Sequence, residues 1–359
     1  MSDEIYKKLA KVLDTLPSGF PATENGVEIK LLQKIFTPEE ADLFCDLKLS
    51  PETAEQISSR TGRALDGLEE MLTSMWNRGE IWGLDVGGIK TFKMIPWIVG
   101  IWEYQIDRMD QEFAEMSEEY KMHVGPPLIM AKPEIMQVIP VEKQVPVEHK
   151  PLPYQQMTAI IESSQSFAVN ECVCNKEKKL LGQGCDKPKE ICMGLSQEPN
   201  AYDNHPWGRP ITREEAYQIL DKAEEAALVH LSTNVEKGHW FICNCCKCCC
   251  PVLGALTMFE SAEHVNSSYY AVIDHDKCSA CGVCADERCQ VNAIEDNDEE
   301  YNIIRTKCIG CGLCISTCPE EAIELIRKSE DQITKPAKDD DFWFEERGRQ
   351  RGVDFSMYK

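Results

Sequence analysis

Eight cysteines lie in two runs toward the C-terminus: Cys278, Cys281, Cys284 and Cys289, then Cys308, Cys311, Cys314 and Cys318, with Pro319 directly after. Each run opens C-x-x-C-x-x-C. That spacing places three thiolates on one tight loop at the corners of an iron–sulfur cubane, while a more distant fourth cysteine reaches across to a neighbouring cluster. Zinc takes four tetrahedral thiolates, often as separated C-x2-C pairs. Three cysteines in consecutive steps, twice over, fit a cubane better. The chemistry implied is one-electron transfer.

The two runs are also an internal repeat. Ile273 and Ile303, and Lys277 and Lys307, precede the cysteines at matching positions. Gly282 and Gly312 sit between matching thiols, where the backbone turns closely around an inorganic core. Ala293-Ile294-Glu295 returns as Ala322-Ile323-Glu324. On these residues the segment from about 271 to 328 resembles a bacterial-type ferredoxin domain. The resemblance implies two [4Fe-4S] clusters. Cys278, Cys281, Cys284 and Cys318 would bind one; Cys308, Cys311, Cys314 and Cys289 the other. One departure stands out: four residues instead of three separate Cys284 from Cys289, and Gln290 replaces the expected proline. The cluster that borrows Cys289 is therefore expected to be the looser, and a shortened spacer is expected to tighten it.

A second cysteine system lies in the middle of the chain. Cys172, Cys174, Cys185 and Cys192 fall within about twenty residues and are expected to form one further site, since four thiols suit one cubane or one zinc. Later, Cys243, Cys245, Cys246, Cys248, Cys249 and Cys250 crowd into Cys243–Cys250. In an extended segment alternate side chains face opposite ways. Cys243 and Cys245 would then share one face, and Cys246, Cys248 and Cys250 the other. This run is expected to serve a further cluster or to hold redox thiols. One or two iron–sulfur clusters are expected here in addition to the ferredoxin pair. His239 lies close enough to donate to a ligand, and His205 reads as a turn residue.

The elements that position these thiols can be read in outline. The N-terminal part shows helix, helix, helix and hairpin. Thr37-Pro38 caps one helix and Ser50-Pro51 starts the next, which ends near Gly62. A third runs from about Ala64 to Arg78, and strands flank Asp85-Val86-Gly87-Gly88. That order resembles a winged helix. Cys45, beside Leu43, Phe44 and Leu47, reads as a small buried hydrophobe. Trp97 to Tyr120 reads as one acidic helix. A proline-rich passage, 125–154, reads as an extended, non-helical strap. A strand from Ser166 to Asn170, a capped helix from Thr212 and strands at Leu228–Leu231 and His239–Ile242 surround the middle cysteines. The expected fold class is therefore α+β and multidomain. It comprises a winged-helix-like domain with flanking helices (1–124), the strap (125–154), a cysteine-rich α/β domain (155–268), a two-cluster ferredoxin domain (269–328) and a charged tail (329–359). Phe342-Trp343-Phe344 in that tail reads as an anchor.

The chain has 359 residues, 43% of them hydrophobic, and a net charge of −23. Such charge disfavours nucleic acid and anionic membranes. The segment 271–328 alone has twelve acidic and six basic residues. An acidic electron carrier suits a redox partner with a basic docking face. Between Pro51 and Glu80 three Arg face six Asp or Glu, a poor charge pattern for a DNA-reading helix. Nineteen cysteines without a signal-like N-terminus point to a reducing, cytoplasmic setting. No apolar run is long enough to span a bilayer. No dinucleotide-binding or P-loop motif is present. The whole order resembles a multi-cluster ferredoxin-type protein of anaerobes. The function expected is electron transfer, as a redox subunit or partner of an anaerobic oxidoreductase. Two other readings are an iron–sulfur sensor that acts as a transcriptional regulator, and a reductase with its substrate at a middle-domain iron.

Overall fold

The computed structural model describes residues 2–146, 151–297 and 300–359. The N-terminal core is helical. α1 (Ser2–Thr15), α2 (Val27–Ile35), α3 (Pro38–Phe44), α4 (Ala54–Thr61) and α5 (Leu68–Asn77) bury Leu9, Leu13, Leu31, Leu72 and Met75 together. Local chemistry sets the ends. Thr37 and Glu40 form a capping box at α3, and Thr53 and Gln56 form one at α4. α4 thus starts at the threonine cap, three residues after Ser50-Pro51, and stops at the left-handed Gly62. α5 begins behind Gly67, later than Ala64. β1 (Trp82–Val86) and β2 (Ile89–Lys93) form a hairpin whose turn, Gly87-Gly88, has φ of 62° and 86°. A two-residue turn of this hand requires positive φ at both positions.

The single helix expected over Trp97–Tyr120 is divided. Ile98 and Val99 are extended, and one helical turn, α6 (Trp102–Tyr104), follows. The long helix, α7 (Gln111–Met130), starts only where the Asp110 side chain accepts the Phe113 N–H at 2.8 Å. Pro96 holds an extended entry, and buried Trp97 packs at a tilt on Phe20 and edge-on against Tyr120 instead of continuing a helix. α7 also corrects the reading of the strap, because its backbone stays helical to Met130.

Beyond α7, β3 (Met136–Val138) joins the edge of a six-stranded sheet. The other strands are β4 (Ser166–Glu171), β5 (Glu190–Ser196), β6 (Arg209–Ile211), β7 (Val229–Thr233) and β8 (Phe241–Cys245). Their order is β3-β7-β8-β5-β4-β6, with every pair antiparallel. The middle region is therefore α+β, not α/β. α8 (Met157–Glu162), α9 (Val173–Leu180), α10 (Arg213–Glu225) and α11 (Pro251–Phe259) flank the sheet. Residues 147–150 of the strap lie outside the described residues.

Toward the C-terminus β9 (Tyr269–Ile273) pairs with β12 (Ile323–Arg327), and β10 (Ile294–Asp296) with β11 (Tyr301–Ile303). The strand that opens the first repeat thus pairs with the one that closes the second, and Ile273 faces Ile323 as Ile294 faces Ile303. α12 (Asp340–Arg351) returns to the helical core. Its fully buried Arg347 donates to the carbonyls of Pro17, Leu128, Ala131 and Pro133 at 3.2, 2.6, 2.8 and 2.6 Å. Trp343 donates to Glu134 O at 2.8 Å, while Phe342 is exposed.

Candidate metal centres

In the C-terminal repeat the loops gather the eight cysteines into two sets of four. Cys278, Cys281, Cys284 and Cys318 line one small cavity. Cys289, Cys308, Cys311 and Cys314 line another. Gly282 and Gly312 take φ of 80° and 83°, a left-handed turn that folds each loop back on itself. Backbone N–H groups point at the sulfurs. Ala293 donates to Cys289 Sγ at 3.2 Å and Ala322 to Cys318 Sγ at 3.3 Å, so the repeated Ala-Ile-Glu tripeptide serves the distant cysteine of each set. Ala271 donates to Cys308 Sγ at 3.3 Å. Burial, with neighbouring thiolates adding to it, pushes Cys284 up to about 11 and Cys311 up to about 12. Thiolates crowded in so dry a place need a cationic core between them. The donor set, the N–H groups and the cavities all fit an iron–sulfur cluster in each set.

The longer spacer has a structural role. Its extra length forms a wide turn, Cys284–Arg288, that buries Arg288. The guanidinium donates to Leu313 O at 3.0 Å, Glu225 O at 3.0 Å, Glu224 O at 2.8 Å and Ser316 Oγ at 3.1 Å. A cation therefore occupies the C-terminal end of α10, where free carbonyls concentrate negative potential. Gln290, in the place of the expected proline, accepts the Lys247 N–H at 3.1 Å, and Lys247 Nζ reaches Asn292 Oδ1 at 3.0 Å. Gln290 thus ties the second set to the middle cysteine run, and Arg288 ties it to the end of α10. These contacts add a docking role to the residues that depart from the pattern.

The ten middle cysteines are divided otherwise than their order in the chain suggested. Cys185 leaves its near neighbours and joins Cys246, Cys248 and Cys249, all four sulfurs lying within 4.8 Å of one another. The separations are 3.8 Å for Cys185–Cys246, 3.2 Å for Cys246–Cys248, 3.7 Å for Cys185–Cys249 and 3.9 Å for Cys248–Cys249. Four thiolates bound at ~2.3 Å to one tetrahedral ion stand about 3.8 Å apart. A cubane's thiolates stand farther apart, because the iron–sulfide core lies between them. Asn175 Nδ2 donates to Cys185 Sγ at 3.2 Å and to Cys249 Sγ at 3.5 Å.

The alternation expected of Cys243–Cys250 fails because the segment is extended only to Cys245. The chain then turns, with the Cys249 and Cys250 N–H groups both donating to Cys246 O. The turn sends Cys250 back toward Cys243 and Cys245, away from Cys246 and Cys248. The remaining thiols, Cys172, Cys174, Cys192, Cys243, Cys245 and Cys250, line one cavity of about 360 Å³ between the sheet and the segment before α7. Cys243 is drawn down to about 5 by the thiols of Cys192 and Cys245 beside it.

Two histidines, His239 and His205, line the cavity of the six cysteines and lie outside the Cys185 quartet. His239 is buried, its Nδ1 2.8 Å from Ser232 Oγ, and its Nε2 has no partner among the described residues. His205 accepts the Trp207 N–H at 3.1 Å and packs against Trp76, and burial lowers it to about 4. Cys45 is buried in the helical core away from all of these groups, its thiol raised to about 12 by burial.

A family model described as a 4Fe-4S binding domain matches residues 301–324, which include Cys308, Cys311, Cys314 and Cys318. No curated protein and no solved structure matches the chain. The chain is an iron–sulfur protein by this domain and by its clustered thiols. No helix among the described residues is long and apolar enough to cross a membrane.

Proposed function

We propose that this chain carries single electrons from its surface to a buried, cysteine-rich centre, as a redox component of a larger oxidoreductase system. In this reading Cys278, Cys281, Cys284 and Cys318 hold one [4Fe-4S] cluster, and Cys289, Cys308, Cys311 and Cys314 hold a second. Each cluster supplies a reversible one-electron couple when bound. The observation that carries the reading is the graded burial of the two sets. Cys281 is exposed, whereas Cys308 and Cys314 are buried. The first set therefore suits contact with an outside partner. The second is held by Gln290 against the middle cysteine run and by Arg288 against the end of α10. Backbone N–H groups on Cys289, Cys308 and Cys318 favour the more negative, reduced state.

The Cys185 quartet suits a single zinc that pins the turn Cys246–Cys250 to the loop after α9. The N-terminal region keeps the order of a winged helix, here in a docking role. Its arginines are already engaged: Arg60 with Glu52, Arg63 with Asp42 and Asp46, and Arg78 with Glu40 and Glu80. These guanidiniums are therefore committed to carboxylates instead of phosphates. A stepwise reductive titration of anaerobically purified protein tests the reading. The visible absorbance should bleach reversibly with two electrons at the ferredoxin sets. A protein with zinc at both sets, colourless and inert to reductant, would contradict it.

A further inference from the structure

Six cysteines remain after the ferredoxin sets, the quartet and the isolated Cys45 are assigned. They form an open circuit around one cavity: Cys172 neighbours Cys174 and Cys192, Cys192 neighbours Cys243, Cys243 neighbours Cys245, and Cys245 neighbours Cys250. Four places in the fold contribute. Cys172 and Cys174 stand at the β4–α9 junction, Cys192 on β5, Cys243 and Cys245 on β8, and Cys250 before α11. Sheet register creates the match, because Asn170 pairs with Cys192 and Met193 with Ile242. Cys172 and Cys250 are the N-caps of α9 and α11, helices of 8 and 9 residues. Two helix N-termini therefore aim positive potential at the circuit, where thiolates gain most from it.

The number and spacing of the sulfurs restrict what can fill the circuit. A single tetrahedral ion needs sulfurs close together. The only group of sulfurs mutually within 4.8 Å among the described residues is the Cys185 quartet. A cubane has four irons, each with one outside thiolate, so six thiols exceed it by two. The cavity they line, about 360 Å³, also takes in Trp82, Tyr104, Tyr202 and Trp207. We propose that Cys172, Cys174, Cys192, Cys243, Cys245 and Cys250 together hold one iron–sulfur cluster of more than four irons. This deepens the electron-transfer reading and rests on it, since the turn between Cys245 and Cys250 is the one that Gln290 and Asn292 grip beside Cys289.

The test is iron and sulfide analysis with Mössbauer spectroscopy on the full chain, reconstituted anaerobically with iron and sulfide. The wild type should hold more than about twelve irons, given about eight in the ferredoxin sets. The double variant Cys192→Ala with Cys243→Ala should lose more than four irons and keep the ferredoxin electron-paramagnetic-resonance signals. Each single Cys→Ala change at the six positions should lower the iron content. A double-variant loss of four irons or fewer, or two silent positions among the six, would mean a cubane on four thiols and overturn the proposal. Unchanged iron would mean metal-free thiols and overturn it too. If the double variant fails to fold by circular dichroism, the iron count of Cys185→Ala, in which the quartet is broken, decides, and twelve irons or fewer there refutes the larger cluster. Absence of the ferredoxin signals from the wild type would instead strike the electron-transfer reading, while the iron lost from the six positions would still be read separately.

Discussion

Arg288 shows how one residue can join a metal loop to a helix end. It fills the extra position between Cys284 and Cys289 and satisfies carbonyls of α10 and of the second loop. Arg288→Met should cost about 2–3 kcal/mol, since it leaves buried carbonyls without a charged donor. The Cys289 set should then lose iron to a chelator faster than its neighbour. Deletion of one spacer residue should do the same; a gain in robustness on deletion, followed by iron release, would show that the docking contact does not matter. At Cys185 the expected content is one ion. Cys185→Ala should remove one zinc per chain by elemental analysis, and a loss of four irons there would establish a cubane instead. The C-x-x-C runs were legible in the sequence because three ligands of a cubane come from one loop, so spacing alone encodes them. The division of the middle cysteines was not legible. It depends on which strands pair and on a turn after Cys245, neither of which local spacing records.

Whole elements repeat this contrast. Capping residues marked α3 and α10 correctly because a cap is a contact over three residues: Thr212 accepts the Glu215 N–H at 3.1 Å, as its sequence suggested. The break at Ile98–Gly100 was hidden. It follows from Trp97 packing on Phe20 and Tyr120, distant in the sequence. α12 is likewise a matter of tertiary contact. The charged tail holds α1, α7 and the strap through Arg347, a role that composition does not display. Arg347→Met should destabilise the protein by about 2–3 kcal/mol, because four carbonyls lose their charged donor. Thermal unfolding measures it. A melting temperature within a degree of the parent would mean that α12 is only a passenger.

Across the molecule the dominant quantity is charge. The net −23 of the chain should steer a basic redox partner toward the exposed Cys281, and screening shortens that reach to about 8 Å at physiological ionic strength. Reduction by such a donor should therefore slow as salt rises, mainly through association. Charge reversal at the exposed Asp296 and Glu300 should slow it further with iron content unchanged. Two companions in that acidic loop, Asp298 and Glu299, lie outside the described residues. A rate indifferent to salt and to these charges would place the chain permanently inside a complex.

The central claim is that two ferredoxin clusters accept electrons through ligands shared across the repeat. Electron-paramagnetic-resonance spectroscopy of the fully reduced protein tests it most directly, with wild type beside Cys318→Ser and Cys289→Ser. The account predicts two interacting reduced clusters in the wild type. Cys318→Ser should disturb only the cluster on Cys278, Cys281 and Cys284, and Cys289→Ser only the one on Cys308, Cys311 and Cys314. Each variant should leave the spectrum of a single, uncoupled cluster. Damage confined in each case to the cluster of the variant's own run, or a wild type with no reducible cluster, would contradict it.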